Sequence, residues 1–95
     1  MIKIIAKNYV KVGKTDEFKK MAMELVAKSQ AEDGCVYYNL HEKIGEPNTL
    51  TFIECWESQE IIDKHGKTEH FTRIVPQLGE MCEKPGEVEL YKVII

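Results

Sequence analysis

The sequence predicts one α+β domain over residues 1–95, with its elements in the order βαββαβ. Three observations carry this. Four segments alternate in hydrophobicity with the period of a strand, two regions repeat apolar residues at helical spacing, and glycine, proline or capping residues stand between them. A chain of 95 residues has room for a single core.

Ile2 to Val10 reads as the first strand, with Ile2, Ile4, Ala6, Asn8 and Val10 on one face and Lys3, Ile5, Lys7 and Tyr9 on the other. Gly13 breaks the alternation, and Thr15, Asp16 and Glu17 suit a helix start, where acidic groups meet the positive end of the helix dipole. Phe18, Met21, Ala22, Leu25, Val26 and Ser29 then form one helical stripe, which Gly34 is expected to end. A second strand spans Cys35 to Glu42, and Gly45-Glu46-Pro47-Asn48 reads as a hairpin turn into a third strand, Thr49 to Trp56. Leu50, Phe52, Glu54 and Trp56 share one face of that strand.

Ser58 suits the N-cap of a short helix carrying Ile61, Ile62 and His65. Gly66 interrupts it, and Thr68 can cap a further helix bearing Phe71, Ile74, Val75 and Leu78, with Pro76 expected to kink or loosen its end. Lys84-Pro85-Gly86 turns into a last strand, Val88 to Ile95. This order is the split βαβ, or ferredoxin-like, arrangement.

A net charge of -3, with Lys and Glu interspersed, argues against a nucleic-acid or anionic-membrane partner. No apolar run approaches membrane-spanning length, and lysines interrupt the N-terminus too early for a secretory core, so the expected compartment is the cytoplasm. The odd set Cys35, Cys55 and Cys82 reads as reduced thiols. Both registers of the strands carry large apolar residues, such as Ile4 against Ile5 and Phe52 against Ile53. A sheet covered by helices on one side would therefore expose an apolar face, and packing against a second copy removes it: a homodimer is expected.

The stretches Ser29-x-x-Glu32-x-Gly34-Cys35-x-x-Tyr38, Phe52-x-Glu54-x-Trp56 and His65-x-x-Thr68-x-His70-Phe71 occur in the order and at the spacing of a known family. The chain resembles the antibiotic biosynthesis monooxygenases, in their quinol monooxygenase branch, along essentially its whole length. The resemblance implies a dimeric α+β barrel with a cleft between sheet and helices. It also implies cofactor-independent oxygenation of a small aromatic or quinol substrate by O2. Other relatives degrade haem, isomerise or break down small signal molecules, or have no known activity. Fold membership therefore leaves the chemistry open, with haem degradation or a non-catalytic dimeric ligand-binding or stress-response module as the alternatives.

His65 is the first candidate catalytic residue, as a base near neutral pH for a bound quinol, or else as a structural imidazole. Trp56 reads as a core anchor with its N–H satisfied locally, or as a wall for a flat ligand. Asn8 puts an amide on an apolar face, where it must bond neighbouring backbone or point into a wet cleft. Together, Asn8, Trp56 and His65 resemble the trio of the haem-degrading relatives, which makes haem the alternative cofactor. Phe52, Glu54, Tyr38 and Phe71 complete the expected substrate-binding set. Pairing with a lysine is the simpler fate of Glu54, and a raised pKa in a site is the other. His41 and His70 read as solvated or capping residues and Glu32 as a helix end. The histidine spacings give no metal motif, so no metal is expected.

Overall fold

A computed structural model describes residues 1–95. The elements are β1 (Ile2–Tyr9), α1 (Thr15–Gln30), β2 (Cys35–Lys43), β3 (Glu46–Trp56), α2 (Gln59–His65), α3 (Glu69–Glu80) and β4 (Glu87–Lys92). The strands form one antiparallel sheet in the order β2-β3-β1-β4, the ferredoxin-like topology that the pattern predicts. No helix is long and apolar enough to cross a membrane.

Strand parity decides which residues meet the helices. Ile4 pairs with Glu54, Ala6 with Phe52 and Asn8 with Leu50, while Tyr38 stands opposite Glu54 on the other side. That face packs on the α1 stripe Phe18, Ala22, Leu25 and Ser29 and on Ile74 and Leu78 of α3, all buried. Each fully buried large apolar side chain contributes about 1.5–3 kcal/mol. The other face has no helix over it and mixes Ile5, Ile53, Tyr37 and Tyr91 with lysines and glutamates.

Several boundaries differ from expectation for local reasons. The hairpin turn is only Ile44-Gly45, with Gly45 at φ +86, so β3 begins at Glu46 rather than Thr49. Pro47 lies where the register jumps from Glu42↔Leu50 to Lys43↔Glu46, an irregularity in which a ladder N–H is not needed. The first helix starts at Thr15, as expected, but ends at Gln30, short of Gly34. Pro76 lies inside α3, which continues to Glu80. β4 ends at Lys92, after which only the Val93 N–H, donating to the Met1 carbonyl, ties the tail down.

Two features position the site. Gly34 has φ +87, and a Cβ there would meet Ile61 Cδ1 at 2.1 Å, so this glycine lets the loop after α1 lie directly on α2. Thr68 Oγ1 accepts from the Phe71 N–H at 3.3 Å and donates to the His65 carbonyl at 2.8 Å. The same hydroxyl thus caps α3 and ties it to the end of α2, bringing His65 and the first turn of α3 together.

Candidate functional site

Between the inner face of the sheet and α2 and α3 lies a cavity of about 350 Å³, the size of small-ligand sites. Its wall includes Asn8, Tyr38, Phe52, Glu54, His65 and Phe71, six of the seven residues that the sequence nominates. Trp56 is the exception: it is wholly buried and does not line the cavity. Ile4, Ala6, Ile62, Val75, Val88 and Leu90 make most of the rest apolar. Val88 and Leu90 are also 65% and 48% exposed, so the cavity opens along β4.

His65 sits at the centre of an aromatic cluster, with ring centroids 4.4 Å from Trp56, 5.0 Å from Phe71 and 5.6 Å from Tyr38. Its Nδ1 lies 2.7 Å from Glu32 Oε2. A carboxylate only accepts, so Nδ1 carries the proton and Nε2 keeps its lone pair. Nε2 is buried and has no protein partner. Burial lowers the His65 pKa against the opposing pull of Glu32, which holds the ring neutral. A neutral imidazole, oriented by a carboxylate and with a free nitrogen, is the arrangement of a general base.

Glu54 departs from expectation. No lysine pairs with it; instead Oε1 accepts the Trp56 indole N–H at 2.9 Å. Burial raises its pKa to about 7, opposed by that bond and helped by the charge of Glu32. The Asn8 amide does both things foreseen for it, donating to the carbonyls of Ala6 and Leu50, each at 3.2 Å, while lining the cavity. Burial also raises the Tyr38 pKa, so its hydroxyl remains a neutral phenol.

The sequence reading missed Glu32 and His70. His70 is not a solvated cap: its Nε2–H donates to Glu32 Oε2 at 2.8 Å, so one carboxylate oxygen accepts from two imidazoles. Glu32 likewise is more than a helix end. Both residues stood in the family pattern, which was the only signal available for them. His41 is exposed, as expected, and the three cysteines are free thiols.

The fold and cleft define a small ferredoxin-like α+β domain with a mostly apolar ligand cavity and one oriented histidine in its wall. The chain belongs to the antibiotic biosynthesis monooxygenase family, whose pattern matches residues 1–77. It is 37% identical over 87 residues to the Bacillus subtilis protein YcnE, covering 90% of this chain and 92% of that one. An uncharacterized Synechocystis protein is 31% identical over 84 residues, 88% of this chain; the match spans only 57% of that relative's length. A solved antibiotic biosynthesis monooxygenase superposes with a TM-score of 0.94 at 34% identity, covering 100% of both chains.

Proposed function

We propose that this protein is a monooxygenase that oxygenates a small, flat aromatic or quinol with O2, without a metal, flavin or haem. Family membership supports the reaction class. The observation that carries the reading is His65, with Nδ1 held by Glu32 and Nε2 unpartnered in the wall of an aromatic-lined cavity.

A quinol hydroxyl approaching Nε2 loses its proton to the imidazole, and Glu32 stabilises the imidazolium that results. Because Nε2 is buried, the aromatic wall must adjust for this approach. The quinolate is electron-rich enough to pass an electron to O2, and the two radicals then combine at ring carbon. Loss of water leaves a hydroxylated quinone. The balance is quinol + O2 → hydroxyquinone + H2O, with all four electrons supplied by the substrate. Asn8 Oδ1 and the Glu54 carboxyl, whose pKa burial pushes up to about 7, are the polar groups available to orient the ligand.

The residues do not fit the haem alternative. Trp56 is 0% exposed and off the cavity wall, and both amide hydrogens of Asn8 are engaged by backbone carbonyls. The trio therefore does not converge on one ligand face. A homodimer remains part of the reading. The uncovered sheet face and the exposed Val88, Leu90, Tyr91 and Val93 supply an apolar surface beside the cavity mouth, which a second copy would cover. The cytoplasm is the compartment that accords with the free thiols.

The test is oxygenation of menadiol by chelator-treated protein under ¹⁸O2. The expected product carries one ¹⁸O and forms with water rather than peroxide, and His65→Ala abolishes it. Simple autoxidation gives quinone and hydrogen peroxide, so finding only those would overturn the proposal.

A further inference from the structure

The Glu32 cluster is more than a support for His65. Glu32 comes from the loop after α1, His65 is the last residue of α2, and His70 lies in the first turn of α3. Each offers one donor atom, and the three lie within 4.8 Å of one another, with Glu32 Oε2 against His65 Nδ1 and His70 Nε2. Two imidazoles and one carboxylate make a donor set that zinc, cobalt and iron accept as divalent ions. Donor atoms bound to one such ion stand about 3.0–3.4 Å apart. The Oε2 contacts of 2.7 and 2.8 Å need only a slight spreading to reach that spacing.

Access and position fit as well. The side chains of Glu32 and His70 are 15% and 13% exposed, so an ion reaches the set from solvent and water fills the remaining coordination positions. Neither residue lines the cavity, so the ion lies outside the substrate's space and touches it only through the His65 ring.

We propose that Glu32, His65 and His70 form a binding site for a divalent transition metal such as Zn²⁺, and that its occupancy switches off the base. The switching half rests on the function proposed above. A metal takes the Nδ1 lone pair, and the neutral ring then carries its proton on Nε2. The cavity-side nitrogen becomes a donor and can no longer accept a substrate proton. His70 shifts its proton from Nε2 to Nδ1 in the same way.

Titration of the metal-free protein with Co²⁺ tests the site. Trp56 is the only tryptophan, and its indole lies 4.4 Å from the His65 ring, so a paramagnetic ion on Nδ1 quenches its fluorescence. Saturable one-to-one quenching is expected, with Co²⁺ visible absorption rising in step. Affinity should fall at least about tenfold in His70→Asn and in Glu32→Gln and stay unchanged in His41→Ala. Circular dichroism melts establish that each variant is folded. Absence of saturable quenching at micromolar Co²⁺, or quenching that persists in both ligand variants, overturns the site. The switch is read separately by ¹⁵N NMR of the imidazoles with Zn²⁺, where the His65 proton should move from Nδ1 to Nε2. An unmoved proton overturns the switch. Neither readout requires turnover, so a failure of the oxygenation proposal is distinguishable from a failure of this one.

Discussion

Trp56 donates its indole N–H to Glu54 Oε1 at 2.9 Å, from two positions along the same strand. Strand periodicity puts both side chains on the inner face, where the indole N–H is the one protein hydrogen bond to the largely buried carboxylate. The pair is thus a core feature that also sets the charge state of one cavity wall.

Stability should therefore fall as pH rises from about 4.5 to about 7. Between 4.5 and about 7 the folded protein holds a proton on Glu54 that the unfolded chain has released. Stability from this group is present at low pH and is lost as pH passes the folded value, by on the order of 2–3 kcal/mol. Urea unfolding of wild type should show the decline, and Glu54→Gln, which still accepts the indole N–H, should flatten it. A decline of the same size in the variant would assign it elsewhere.

Glu32 should act on turnover through His65 without touching substrate. Glu32→Ala frees the imidazole to choose either tautomer, so kcat for quinol oxygenation should fall at least about tenfold with KM nearly unchanged. A change confined to KM would place Glu32 in substrate binding instead.

Gly34→Ala should be among the costly single changes in the chain. The residue has φ +87, and its new Cβ would stand 2.1 Å from Ile61 Cδ1. Backbone strain and the clash together should cost about 2–4 kcal/mol in chemical denaturation. Adding Ile61→Ala should recover only the steric part, because the positive φ remains.

Light scattering should give a dimer mass for wild type, and Ile53→Lys should give a monomer. Ile53 lies on the helix-free face beside Ile5, where a lysine would be desolvated by a second sheet. A wild-type monomer at micromolar concentration would remove the dimer from the proposal.

The sequence was legible wherever the signal was local. Period-two alternation placed Asn8 on one face of the first strand and Phe52 with Glu54 on one face of the third, the faces that became the cavity wall. Ser58 and Thr68 marked both later helices because an N-cap is chosen by the few residues it closes on, and both caps are in place. His65 followed from its helical position after Ile61 and Ile62. The hairpin and the end of α1 were less legible. Their turn residues were visible, yet the pairing across β2 and β3 fixed where the strands began.

What the sequence by itself determined, then, was element order, which residues share a face on the first and third strands, and the family pattern. Only the tertiary structure decided the chemistry around His65. Glu32 lies 33 residues from His65 and 38 from His70, and no spacing rule spans such separations. Their meeting depends on the left-handed turn at Gly34 and the short link from Gly66 to Thr68, which together bring three separate segments to one point. Burial likewise sent Trp56 into the core and left Glu54 with an indole rather than a lysine. Local patterns choose the side of an element on which a residue lies, whereas charge state and partners are set by what the folded chain packs against that side.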